Sequence, residues 1–114
     1  MRAPAHRQVD SVFGALADPT RRRVVETLAR GGTVTASSLA EQLPITRQAV
    51  AKHLSALRGA DLVTSTRVGR ETQYKLRPKP LDEAAQWIQM VGAEWDDRLE
   101  ALRRSLESRG SGSR

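Results

Sequence analysis

The chain contains no cysteine. Disulfides, thiolate nucleophiles and thiolate metal ligation are therefore excluded together. Aromatic residues are scarce, with two Trp, one Tyr and one Phe, and Trp87 and Trp95 read as packing residues rather than as a ligand cage. No apolar run approaches the roughly 18 residues that a membrane-spanning helix needs. Met1 to Gln8 lacks the apolar centre of a secretory signal. The expectation is a cytoplasmic protein with no membrane partner. No Gly-rich phosphate loop and no nucleophile–base pair occur, and the carboxylates near the C-terminus read as solvated face charges. Neither catalysis nor a bound cofactor is expected.

What is present fits one globular domain in 114 residues, 39% hydrophobic and 28% charged. A single chain of this length buries only about two thirds of its unfolded surface, so a partner subunit would help it. The formal net charge of +6 is unevenly spread. Residues 1–80 hold fourteen Lys and Arg against six Asp and Glu, a net of +8, and the remainder holds five against seven, a net of −2. A basic field confined to the first two thirds points to a polyanion partner.

Residues 1–8 read as a mobile arm, 9–106 as the folded domain, and 107–114 as a disordered tail of Gly and Ser. Val9, Val12, Phe13 and Leu16 are spaced as one face of a helix. Asp18-Pro19 restarts the chain: Asp caps well, and Pro suits a first helical position. Val24, Val25, Leu28 and Ala29 form the apolar stripe of that second helix, which Gly31-Gly32 ends. Thr35 caps a third helix carrying Leu39, Ala40 and Leu43, which Pro44 stops. Thr46 caps a fourth, with Val50, Leu54 and Leu57 on one face. Two helices joined by Pro44-Ile45 make a helix-turn-helix. Leu62–Val68 and Thr72–Leu76 alternate around Gly69-Arg70 as a hairpin, with Tyr74 and Leu76 on one side. Pro78 and Pro80 break the chain again. From Leu81 to about Leu106 runs a long helix in which Ala85, Ile88, Gly92, Trp95, Leu99, Leu102 and Leu106 approach a heptad seam. A seam on a terminal helix suggests pairing with a second copy.

With its apolar stripe turned inward, the fourth helix exposes Arg47, Gln48, Ala51, Lys52, Ser55 and Arg58. Arg47 and Gln48 occupy its first turn, the part that enters the major groove in helix-turn-helix proteins. Arg donates a bidentate pair to guanine and Gln pairs with adenine. Short Ala51 and Ser55 permit close approach, while Lys52 and Arg58 suit phosphates. Arg67, Arg70, Lys75 and Arg77 make the hairpin basic, with Arg70 at its tip beside Gly69 and Glu71 partly offsetting the charge. Arg21, Arg22 and Arg23 oppose the macrodipole at the start of the second helix, which asks for compensation by phosphate or by carboxylates.

The run from Leu16 to Leu28, through Asp18-Pro19-Thr20 and the three arginines, resembles the opening signature of the ArsR (ArsR/SmtB) family of winged-helix repressors. Ile45–Leu57 with Asp61-Leu62-Val63 resembles the recognition helix of that family, and Val68-Gly69-Arg70 through Leu76 resembles its wing. The resemblance covers about residues 9–106. It implies a mainly α fold with a β-hairpin wing, a winged helix-turn-helix of four helices, two strands and a final helix. It implies a homodimer built from the first helix (Val9, Val12, Phe13, Leu16) and the last (Ile88, Gly92, Trp95, Leu99, Leu102). It also implies repression through a palindromic double-stranded operator, with contacts from Thr46, Arg47, Gln48, Lys52, His53, Ser55 and Arg70. His53 matches a position that is His in many relatives; alone, such a His is more often packed or phosphate-bound than a switch.

Three departures stand out. Metal-sensing members carry Cys-x-Cys on the third helix, where this chain has Ala36-Ser37-Ser38, or His and carboxylates on the last helix, where this chain has no His. A non-metal-sensing type is implied, with no metal site and an unknown effector. Ala51 stands where Ser is common. Asp61 stands where the family has Gly, at a turn needing left-handed geometry that Asp tolerates. The competing reading is a winged-helix module that binds protein and has no operator of its own.

Overall fold

The structure is a computed structural model that describes the backbone of residues 4–112 and the side chains of residues 8–109. The elements run α1 (Pro4–Leu16), α2 (Pro19–Gly31), β1 (Thr33–Thr35), α3 (Ala36–Gln42), α4 (Arg47–Gly59), β2 (Val63–Val68), β3 (Glu71–Leu76) and α5 (Pro78–Gly112). The chain divides into a unit up to Ala84 and a second unit from Ala85, which is the remainder of α5.

Local chemistry sets the helix boundaries of the first unit. The backbone N–H of Arg21 donates to Asp18 Oδ2 at 2.9 Å, and Pro19 stands in the first turn of α2, where its missing N–H leaves nothing unpaired. Gly32, at φ 73°, ends α2. Thr35 and Ser38 form a reciprocal capping box at α3, each side chain accepting the other's backbone N–H at 3.1 Å. The Thr46 hydroxyl accepts the Ala49 N–H at 3.1 Å and starts α4. At the end of α4, Asp61 adopts φ 60°. Its N–H reaches the Arg58 carbonyl and that of Leu62 reaches Leu57, both at 3.0 Å. This is a Schellman termination, with buried Leu62 and Leu57 as its apolar contact.

Leu28, Leu39, Leu54, Leu57, Leu62, Val12, Val24 and Val50 are almost fully buried and form the centre of the core. Tyr74, Leu76 and Ile45 pack on its edge. The sheet has the order β1-β3-β2 and is antiparallel throughout, with Val34 opposite Tyr74 and Val68 opposite Glu71. The expected fold is thus present, mainly helical with a wing, but the sheet has a third strand that the hairpin reading lacked.

Three boundaries differ from expectation. α1 begins at Pro4, so only residues 1–3 of the expected arm lie outside the described residues; Gln8 Nε2 donates to the Ala60 carbonyl at 3.0 Å. α5 continues to Gly112, through most of the segment expected as a tail, and residues 113–114 lie outside the described residues. Pro78 and Pro80 begin α5 rather than breaking the chain before it. Both fall in the first turn, where N–H groups have no intrahelical acceptor in any case.

In the second unit α5 leaves Ile88, Met90, Val91, Trp95, Leu99, Leu102 and Leu106 between 41% and 58% exposed. Its polar face carries Arg103 between Glu100 and Glu107, and Arg104 3.7 Å from Glu100, at three- and four-residue helical spacing. Among the described residues no helix is long and apolar enough to cross a membrane.

Candidate nucleic-acid interface

The two faces of α4 are cleanly divided. Val50, Leu54 and Leu57 are buried, while Arg47, Gln48, Ala51, Lys52, Ser55 and Arg58 are exposed. Thr46 is exposed too, but its hydroxyl is engaged as the helix cap. α3 packs against α4 across the Leu43–Ile45 turn. The β2–β3 turn is made by Gly69 and Arg70 alone, with Gly69 at φ 63°, a backbone conformation that the first turn position of such a hairpin needs. Arg67 and Arg70 are exposed at this tip, and Arg67 Nε donates to the Gly69 carbonyl at 3.3 Å. Arg47, Arg67 and Arg70 line one cavity between α4 and the wing.

His53 is placed apart from that exposed face. It is half-buried, with Nδ1 3.9 Å from Asp18 Oδ2 and without a hydrogen-bond partner among the described residues. Asp18 thereby faces both α2 and α4. Its carboxyl is held below the usual carboxylate range, first by the backbone N–H of Arg21, with the charges of His53 and Arg21 adding to this and partial desolvation opposing it. Two of the three arginines that open α2 have local partners, although the buried Arg21 Nε has no hydrogen-bond partner among the described residues. Arg22 donates to the Leu16 carbonyl at 2.6 Å, and Arg21 lies close enough to Asp18 to lower its pKa.

The residues expected at a subunit interface fall into two groups. Val12 is fully buried and Val9 nearly so within the single chain, and Leu16 packs on the core; Phe13 is 37% exposed. Ile88, Trp95, Leu99 and Leu102 are all exposed along α5, as is Gly92. The cavity beside Arg47 was missed by sequence reasoning. Its wall at Thr35–Ser37 lies far from the wing in sequence and gave no signal of its own.

Comparison with known proteins agrees with this geometry. A helix-turn-helix domain family matches residues 16–66. The transcriptional repressor SdpR of Bacillus subtilis is 32% identical over 80 residues, covering 70% of this chain and 88% of SdpR. Among solved structures, an ArsR-like transcriptional regulator from Rhodococcus sp. RHA1 superposes with a TM-score of 0.77 at 43% identity, over 90% of this chain and 95% of that one. The cadmium metal-sensor CMTR from Mycobacterium tuberculosis is 43% identical with a TM-score of 0.52, over 59% of this chain and 68% of its own. The motif residues, the winged architecture and these relatives agree: the chain belongs to the ArsR family of helix-turn-helix transcriptional regulators.

Proposed function

We propose that this chain is a sequence-specific repressor that binds a palindromic double-stranded operator as a homodimer in the cytoplasm. The observation that carries the reading is the division of α4. Its apolar residues are consumed by the core, and Arg47, Gln48, Ala51, Lys52 and Ser55 remain as one exposed face beside a basic wing. In this reading Arg47 and Gln48 meet base edges, and Lys52, Arg58, Arg67 and Arg70 meet phosphates. Thr46 contributes by fixing the first turn. His53 acts from behind the face, against Asp18. The exposed row on α5 pairs with its copy, which sets the two recognition helices on successive major-groove faces.

The regulator is of a type that does not sense metal. The chain has no cysteine and so offers no thiolate ligand. This donor set does not fit a soft metal such as CMTR senses.

Selection of genomic fragments by the purified chain tests the proposal. An enriched palindrome is expected. On it, Arg47→Ala should relax discrimination at one base position by about 1–3 kcal/mol. Arg70→Ala should weaken every sequence alike. If both variants keep the wild-type affinity and preference, the contact assignment is wrong.

A further inference from the structure

The cavity between the first turn of α4 and the wing has a volume of about 300 Å³, at the small end of the range for small-molecule sites. Three arginines reach it from three places in the fold: Arg47 opens α4, Arg67 lies on β2, and Arg70 sits in the β2–β3 turn. None forms an ion pair among the described residues. Arg67 spends only its Nε, on the Gly69 carbonyl, and the guanidinium groups of Arg47 and Arg70 have no hydrogen-bond partner among the described residues. Glu71 also lines the cavity and forms no ion pair among the described residues, which leaves an excess of two positive charges. Thr35, Ser37, Thr72 and Tyr74 are also among the lining residues, and the Thr35 hydroxyl oxygen already accepts the Ser38 N–H. Unpaired like charges in a concavity concentrate counter-ions. Guanidinium forks match phosphate oxygens two at a time.

We infer that this cavity binds a phosphoryl group, and that a free phosphorylated small molecule held there competes with duplex DNA for the same arginines. The site itself stands on the cavity; the competition rests on the DNA-binding reading above. An occupant neutralises Arg47 and Arg70 together, where α4 and the wing meet the duplex. It gives the repressor a release signal that needs no metal ligand.

The test titrates the full chain with sodium pyrophosphate at an ionic strength held constant with sodium chloride, read by amide NMR shifts and calorimetry. One saturable site per chain is expected. Shifts should gather at Thr35, Ser37, Arg47 and Gly69 to Thr72, and affinity should fall about tenfold or more in the Arg47→Ala/Arg70→Ala double variant. Arg30→Ala, on the exposed side of α2 and outside the cavity, should keep the wild-type pyrophosphate affinity. Shifts that never saturate, or that spread equally over Arg21–Arg23 and Arg98–Arg104, are general screening and overturn the site. In a second arm saturating pyrophosphate should raise the apparent Kd for a selected duplex about tenfold at the same ionic strength. An unchanged Kd with pyrophosphate bound overturns the competition. Pyrophosphate binding by a chain that binds no duplex at any salt defeats the DNA-binding reading and leaves the site standing. Duplex binding without pyrophosphate binding does the reverse.

Discussion

Asp18 acts on two helices at once. Its Oδ2 accepts the Arg21 N–H at the start of α2 and stands 3.9 Å from His53 Nδ1 on α4. Because its folded-state pKa is depressed, its contribution to stability is present above the unfolded value of about 3.9 and is lost as pH falls through the folded value. Urea unfolding between pH 3 and 6 should therefore show a steeper acid loss in the wild type than in Asp18→Asn; parallel curves would remove Asp18 from the account. Asp61 is the other residue whose backbone carries meaning. At φ 60° it holds the Schellman turn that ends α4, and its Oδ1 lies 3.6 Å from Arg77. The left-handed conformation costs an ordinary residue about 1–2 kcal/mol, and a β-branched one is the worst choice. Asp61→Val should lower the unfolding free energy by about that amount, while Asp61→Gly should change it little. Equal losses in both would place the importance of Asp61 in its carboxylate instead.

At the scale of elements, β1 is the strand that periodicity could not find. Three residues, Thr33-Val34-Thr35, are too few to show an alternation. They become a strand because β3 offers them a ladder, Val34 opposite Tyr74. α5 is the reverse case, an element written plainly in the sequence whose partner is not. Its row of Ile88, Trp95, Leu99 and Leu102 is exposed in one chain. A contiguous apolar row of this kind marks an interaction surface, here assigned to a second copy. Sedimentation should find the wild type at twice the chain mass and a Trp95→Glu/Leu99→Glu variant at the chain mass, with helicity kept. A wild type that sediments as a single chain at micromolar concentration would refute the assignment.

At the scale of the whole molecule, charge is the dominant fact. Residues 1–80 carry a net of +8, within a chain whose total is +6. Each neutralised phosphate releases a counter-ion, so operator affinity should fall by about 10³–10⁵ between 50 and 200 mM salt if a dimer makes some 6–10 phosphate contacts. A log–log slope near zero would mean that the basic field is compositional and plays no part in binding.

The sequence by itself determined the caps of α2, α3 and α4, the glycine end of α2 and the two faces of α4. Each of these depends on residues within one or two turns of each other: Asp18 with Arg21, Thr46 with Ala49, Val50 with Leu54 and Leu57. Only the tertiary structure decided the third strand, the inward turn of His53 toward Asp18, and the gathering of Arg47, Arg67 and Arg70 around one cavity. Those depend on bringing together parts of the chain twenty or more positions apart. Such contacts exist only once the core has closed and set α2, α4 and the wing side by side, so no local pattern records them.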